Sequence, residues 1–335
     1  MNVSDLPRVG ARHPLVRQVR QIAGNLGPGR HQRFVAEGLW AHRMLVELGA
    51  RVDTFLWCPE SGTSTEARAL AARVAAHAGT AVRISERTLD RLRDREQPDG
   101  MISLVTVPTW GPADVPLAGE ALVLVADAIE IPGNLGTLLR TADACGADCL
   151  IVTNRRTRLA HPMVFRGSRG MNLRVPVLEF GAPAAAQDWL RGNGFTTFLA
   201  TVPGDAVPFP EVRFGGRTAL VVGNERVGVG SGWRDLGLPR VTIPMHGRAD
   251  SLNVAVSASV LLYAARVQRG GPGGPGHLMA EPPDRATRRG AAIRLPTAHG
   301  APTHRVDPRR RRGPRPGPGR PQIRGGRVRR HGRSG

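Results

Sequence analysis

The chain has 335 residues, of which 41% are apolar and 4% aromatic, and its 47 basic against 27 acidic side chains leave a net charge of +20. That length holds two domains with sizeable cores, the apolar content is that of a globular protein, and the charge leans toward a polyanionic partner. No apolar run reaches the length of a membrane span and the start MNVSDLPRVGARHP lacks the pattern of a signal peptide, so a membrane role is excluded and a cytoplasmic location is expected.

All 47 basic residues are arginine. Guanidinium forks bind phosphate bidentately and stack on bases, although uniform arginine usage also follows from coding bias. Cys58, Cys145 and Cys149 are too few for a disulfide framework. Cys145 and Cys149 flank Gly146, where a helix should end, so they read as packing residues and no metal is expected.

Along residues 1–108, RFVAEG, VDTFLWC, TAVRIS and MISLVTV read as strands. Between them LWAHRMLVELG, TEARALAARVAAHAG and ERTLDRLRD read as helices, which makes a small α/β sandwich. GPADVPLAG, within 109–119, reads as a linker. A second alternation fills 120–269. Its strands ALVLVADAI, CLIVT, TFLATV, TALVVG and RVTIPM are mostly unbroken apolar runs, as expected of parallel strands covered on both faces. LGTLLRTADACG, AAAQDWLRG and SLNVAVSASVLLYAARVQ are the helices, so a doubly wound α/β domain is predicted, with ligand sites at the carboxyl ends of its strands. From Gly270 periodicity is lost. The stretch 269–335 holds 17 arginines against three acids, or +14 of the +20, and its Gly and Pro content predicts a disordered tail with a non-specific RNA-binding arm as a compatible role.

Three strand ends of the second domain carry chemistry. IPGNLG follows the first strand: Asn134 is placed as an N-cap, and Leu135, Leu138, Leu139 and Ala142 share the helix face that must pack on the sheet. Arg140 falls nearly opposite that face, toward solvent, a partner chain or a ligand. GNERVGVG follows TALVVG; Gly223, Gly228 and Gly230 let the backbone approach a ligand, and Glu225 is either a site carboxylate or a cap for a neighbouring helix. HGRAD follows RVTIPM and leads to Ser251, a predicted N-cap, and Asn253, whose amide can serve the helix end or a ligand. None of the loops has the form GxxxxGK[ST] or GxGxxG, so ATP and NAD are disfavoured and an adenosine without phosphates suits the loops better.

DAIEIPGNLGTLLRTADACGA, LVVGNERVGVG and IPMHGRADSLNVAVSASV resemble, in order and at fitting spacing, the three motifs of the SpoU/TrmH RNA 2′-O-ribose methyltransferases of the SPOUT superfamily. RFVAEGLWAHRMLVELG and REQPDGMISLV resemble the L30e-like RNA-binding domain that precedes the catalytic domain in ribosomal RNA members. The resemblance implies a deep trefoil knot, S-adenosylmethionine as cofactor, and a homodimer whose active site is completed across the interface. It implies cofactor contacts at Gly223, Ile243 and Leu252, with Met245, Ser251 and Asn253 nearby, and catalysis by Arg140 with Asn134 and Glu225 orienting it and the ribose. Whether Arg140 is a general base, as the family proposal has it, or a cation that stabilises the developing alkoxide stays open at this point.

Arg169 and its neighbour Arg166, in VFRGSRGMN, and Arg226 are the RNA contacts implied in the second domain, with Arg30 and Arg33 at the start of the first. Motif two departs from the usual pattern at Asn224 and Arg226, where small or acidic residues are commoner. The L30e-like front favours 23S ribosomal RNA as substrate. Transfer RNA with the same chemistry, and a non-catalytic RNA-binding or ribosome assembly factor, are the alternatives; the retained Asn134, Arg140, Glu225, Ser251 and Asn253 speak against the last.

Overall fold

The computed structural model describes residues 3–27, 29–92, 99–202 and 204–269, and the tail expected over 270–335 lies outside them. In chain order the regular elements are α1 (Pro14–Ala23), β1 (Arg33–Glu37), α2 (Gly38–Glu47), β2 (Val52–Trp57), α3 (Thr65–His77), β3 (Thr80–Arg83), α4 (Glu86–Leu89) and β4 (Met101–Thr106). They continue as β5 (Leu122–Asp127), α5 (Pro132–Ala144), β6 (Cys149–Thr153), α6 (Pro162–Ser168), β7 (Val177–Phe180), α7 (Pro183–Gly192), β8 (Thr196–Ala200), β9 (Val207–Pro208), β10 (Thr218–Val222), α8 (Ser231–Arg234), β11 (Arg240–Thr242) and α9 (Val254–Gln268).

All nine predicted strands form, and five elements emerge that the periodicity did not reveal: α1, α6, α8, β7 and β9. Helix α1 buries only Val16, Val19 and Ile22 between Arg and Gln residues, and it starts on a His13 cap with Pro14 at its first position. Helix α6 is short, and β7 and β9 lie at the two edges of the large sheet. The predicted strand RVTIPM stops at Thr242 because Pro244 has no amide to pair. ERTLDRLRD is helical over Glu86–Leu89.

The front sheet runs β1-β4-β2-β3, antiparallel except for the β2–β3 pair. The large sheet runs β7-β6-β5-β10-β8-β11-β9 and every pair in it is parallel. Strands β5, β6 and β10 are buried at every residue, which is why their sequences read as unbroken apolar runs. Their alternate residues serve two cores. Leu124, Ala126, Leu150, Leu220 and Val222 face the side of α5 and α9, while Val123, Val125, Ile151, Ala219 and Val221 face Trp233 of α8.

The core on the α5 side continues into the front sheet. Phe34 and Trp40 pack on Phe165 of α6, with ring centroids 4.8 and 5.5 Å away. A buried aromatic ring contributes about 1.5–3 kcal/mol by transfer alone. Helix α6 comes this close to α5 because residue 136 is glycine: a Cβ there would lie 2.8 Å from the Val164 carbonyl. Val115 of the connecting segment is buried against the opposite core.

Helix α2, beside the front sheet, buries an ionisable ring. His42 Nδ1 donates to the Gly38 carbonyl at 2.8 Å, and Nε2 accepts from the Ser103 hydroxyl at 2.9 Å, so the ring is neutral. Burial drives its pKa from 6.5 down to about 4, against the smaller opposing pull of the Gly38 carbonyl and Asp99. The folded value lies below the unfolded one. The neutral ring's contribution is therefore complete above pH 6.5 and is lost as pH falls from 6.5 toward 4. Urea unfolding between pH 7 and 4 should show about 3 kcal/mol lost in that window, and His42→Gln should flatten the slope there. An unchanged slope in the variant would remove His42 as its source.

Candidate functional site

A cavity of about 830 Å³ opens at the carboxyl ends of β5, β10, β8 and β11, where strand order leaves the crevice of an open α/β sheet. Every residue expected to hold the cofactor lines it: Gly223, Ile243, Met245, Ser251, Leu252 and Asn253. Asn134, Glu225 and Arg226 line it too. The volume lies within the range of small-molecule sites.

The loops around the cavity are stitched together by side chains from distant parts of the sequence. Helix α5 begins with Ile131 at its N-cap, which has no side-chain acceptor. Glu225, 94 residues away, takes over: its carboxylate accepts from the amides of Glu130 and Ile131, both at 3.2 Å, and from Asn134 Nδ2 at 2.8 Å. The helix-cap role considered for Glu225 is thus present, inside the cavity wall. Asn134 is not the N-cap that its residue type suggested. It lies within the first turn, and its side chain bridges Glu225 and Asn253, whose Nδ2 donates to Asn134 Oδ1 at 3.2 Å.

The predicted cap at Ser251 also moves. Helix α9 starts at Val254, Asn253 is its cap through the Ala255 amide at 2.9 Å, and the Ser251 hydroxyl meets Asp250 instead. The irregular segment after Thr242 thus runs on two residues past the predicted cap before helical geometry begins. Asn253 therefore caps one helix with its oxygen and holds the start of another with its nitrogen.

Burial raises the Glu225 pKa, but the hydrogen bonds from Asn134 and the backbone amides outweigh it and hold the carboxyl below its ordinary value of 4.5. Its contribution is accordingly present above pH 4.5 and lost as pH falls through the lowered folded value. Glu225→Gln turns one acceptor into a donor facing donors. It should cost about 1–3 kcal/mol in urea unfolding at pH 7. Wild-type stability in the Gln variant would show that these contacts are incidental.

Two further residues complete the network: Asn224, which the sequence marked only as a departure in motif two, and Asp127, which it did not mark at all. Asn224 donates to the Ala128 carbonyl at 2.9 Å and accepts from the Arg226 amide at 2.9 Å, tying the ends of β10 and β5. The buried Asp127 carboxylate accepts from Thr153, Asn154 and the Gly230 amide, and Thr153 in turn accepts from the Trp233 indole. A carboxylate closing the apolar run ALVLVAD was the available signal, since a buried acid needs such donors. Asp205, Arg234, Arg240, Thr201 and Thr242 also line the cavity and had no local signal.

Arg140 is exposed, as its position opposite the packing face predicted, and it does not line the cavity. Asn134 and Glu225 make no hydrogen bond to it among the described residues, and it lies six positions beyond Asn134, about 9 Å along the helix axis. The arrangement therefore does not bring the three expected catalytic residues together within one chain.

The expected RNA contacts divide in the same way. Arg226 sits on the cavity loop and is exposed. Arg169 ends α6 in a left-handed conformation and lays its guanidinium 4.6 Å over the Trp40 ring, so it already joins α6 to α2. Arg166 lies on α6, and Arg33 lies against Gly29. Arg30 presents its carbonyl to the Arg158 guanidinium. Burial, then Arg158 and Arg166, push the His161 pKa down, and burial with Arg30 does the same to Arg158. Like charges thus crowd the seam between the sheets, and NRRTRLAH was the sequence sign of it.

A parallel doubly wound sheet with an open cavity at its switch point defines an α/β protein with a small-molecule-sized site at its strand ends. Three comparisons narrow the class. The SpoU rRNA Methylase family model matches residues 121–263. A 23S rRNA (uridine(2479)-2′-O)-methyltransferase of Streptomyces viridochromogenes is 30% identical over 269 residues, 78% of this chain and 92% of that one. A 23S rRNA (guanosine(2553)-2′-O)-methyltransferase of Bacillus subtilis is 31% identical over 183 residues, 55% of this chain and 71% of that one. The structure of the SpoU methyltransferase AviRb from Streptomyces viridochromogenes in complex with the cofactor AdoMet superposes with a TM-score of 0.66 at 28% identity, covering 77% of this chain and 98% of that one. The chain belongs to the SpoU rRNA methylase family.

Proposed function

We propose that this protein is an S-adenosylmethionine-dependent methyltransferase that modifies a ribose 2′-hydroxyl of RNA, with 23S ribosomal RNA as the favoured substrate. The observation that carries the reading is the cavity of about 830 Å³, whose wall joins the Glu225–Asn134–Asn253 chain to Gly223, Ile243 and Leu252. Its apolar strand-end residues and backbone amides suit an adenosine without phosphates, and the family's deep trefoil knot is part of the same reading.

S-adenosylmethionine supplies a methyl group on a sulfonium, ready for in-line displacement. The chain supplies alignment. Glu225 and Asn134 hold the 130–134 backbone rigid beside the cavity, so that a ribose seated there is fixed toward the cofactor. The Arg140 guanidinium carries donors only and is suited to stabilise an alkoxide or clamp the adjacent phosphate. Since Arg140 lies along α5 away from its own cavity, we assign it to the cavity of a second copy. The outer face of α9 exposes Val256, Tyr263 and Val267, and it neighbours α5 through the Thr141–Ser259 contact of 3.1 Å. That face is the proposed homodimer surface.

Residues 1–108 are read as an L30e-like RNA-binding domain. Arg226, the basic seam around Arg30, Arg158 and Arg166, and the tail then share the RNA, in the cytoplasm. Among the described residues no helix is long and apolar enough to cross a membrane.

The test is a methyl-transfer assay with labelled S-adenosylmethionine on unmodified ribosomal and transfer RNA fractions, followed by mapping of the labelled nucleotide. Label in a ribose of 23S RNA is expected. Label only in transfer RNA would move the substrate, and cofactor binding without transfer to any RNA would leave a non-catalytic binding factor.

A further inference from the structure

Asp127 ends β5 fully buried, and its partners among the described residues are three neutral donors. Oδ1 accepts from the Thr153 hydroxyl at 2.9 Å and from Asn154 Nδ2 at 2.8 Å, while Oδ2 accepts from the Gly230 amide at 2.9 Å. The first two donors sit at the end of β6, where Thr153 is the register partner of Asp127. Gly230 instead closes the loop that follows β10 and precedes α8. Neither Asp127 nor Gly230 lines the cavity, but Gly223, Gly228 and Val229 of that loop do.

A carboxylate held by neutral donors alone costs more to bury than an apolar strand end would. What it gains is the placement of the loop. Gly228 and Val229 press so closely on Gly223 that a Cβ on residue 223 would collide with their backbone. The bond to Gly230, the next residue, fixes where that stretch lies. We infer that Asp127 is a positioning residue for the cofactor: from behind the cavity wall it ties Gly230 to the ends of β5 and β6 and so seats the 228–229 backbone against Gly223. This rests on the methyltransferase reading above.

Two substitutions act on that one contact. Asp127→Asn keeps the shape. With its oxygen retained by the two β6 donors, its amide nitrogen faces the Gly230 amide, donor against donor. Gly230→Ala keeps the carboxylate and its β6 partners. Residue 230 has a φ of −65°, which alanine adopts without strain. Among the described residues, chain neighbours apart, its Cβ would meet only Asp127 Oδ2, at 3.0 Å. Both changes loosen the tether and remove no atom from the cavity wall.

The experiment is calorimetric titration of the full chain and both variants with S-adenosylhomocysteine, read for affinity and for stoichiometry. Asp127→Asn should weaken affinity about tenfold and Gly230→Ala by a smaller factor, each at unchanged stoichiometry. The double variant should bind no more weakly than Asp127→Asn, because both changes break the same contact. A merely structural role gives the opposite pattern: fewer chains bind, and those that do keep wild-type affinity. That pattern would overturn the inference, as would losses that multiply in the double variant. If Asp127→Asn does not fold, Gly230→Ala decides alone, and wild-type affinity there overturns the inference. A wild-type chain that does not bind S-adenosylhomocysteine would sink the cofactor reading itself, a result separable from a failure of the variants alone.

Discussion

Arg140→Ala is expected to abolish detectable methyl transfer while cofactor affinity stays within a few-fold of wild type. The side chain is exposed on α5, outside the cavity, and the buried face of that helix is carried by Leu135, Leu138, Leu139 and Ala142. Truncating it removes no core contact, so the unfolding free energy should change by no more than about 0.5 kcal/mol. The chemistry should suffer far more. Loss of one fixed donor at a developing oxyanion costs roughly 100- to 1,000-fold in rate, and a phosphate clamp lost with it adds to that. Arg140→Lys keeps the charge without the planar fork and should recover only part of the activity.

A mixing experiment separates the two placements of Arg140. Arg140→Ala and Asn134→Ala subunits, each inactive alone, should regain activity when combined if each site takes Arg140 from the other copy. No recovery on mixing would return Arg140 to its own chain and sink the shared-site reading. Full activity of Arg140→Ala alone would remove the proposed mechanism altogether.

Gly223→Ala should do more damage, and to a different property. A Cβ on residue 223 would lie 2.1 Å from the Gly228 carbonyl carbon and 2.2 Å from the Val229 amide nitrogen. Those atoms belong to a turn closed on itself by reciprocal 2.9 Å bonds between Asn224 and Gly228. Backbone cannot yield as a flexible side-chain tip can, so the turn must open. Opening it frees Asn224 from Ala128 and Glu225 from Glu130 and Ile131, and the cavity wall comes apart.

The expected result is loss of S-adenosylmethionine binding in calorimetry and destabilisation of about 3 kcal/mol or more in urea unfolding. Gly228→Ala is the comparison. Its Cβ meets nothing within 4 Å, but its φ of +68° is left-handed, so about 1–2 kcal/mol and weakened binding are expected. Equal mild effects at both positions would mean that the turn is looser than this packing requires.

How much of this was legible beforehand follows from which residues carry local signals. Strands β5, β6 and β10 announced themselves because burial on both faces demands apolar runs, and such a demand is written residue by residue. Arg140 could be placed opposite the packing face by helical period alone. The expected cofactor positions came from the resemblance to three motifs in order, and those residues line one cavity. Helices α1 and α6 were missed because few apolar residues per turn suffice when the partner surface is large. The two N-caps went wrong for a related reason: Asn134 and Ser251 have capping side chains, but capping depends on where helical geometry begins, and a neighbouring loop shifted it.

By itself, then, the sequence determined the layers, the parallel sheet, the strand ends that matter and the family, because periodicity and motif spacing are properties of neighbours along the chain. The tertiary structure alone decided that Glu225 caps a helix 94 residues away, that Asn253 serves two helices, that Asp127 anchors Gly230 across the sheet, and that Arg140 stands apart from the cavity of its own chain. Those are pairings of polar groups brought together by strand order. A hydrogen bond depends on distance and direction in space, and neither is encoded in separation along the sequence.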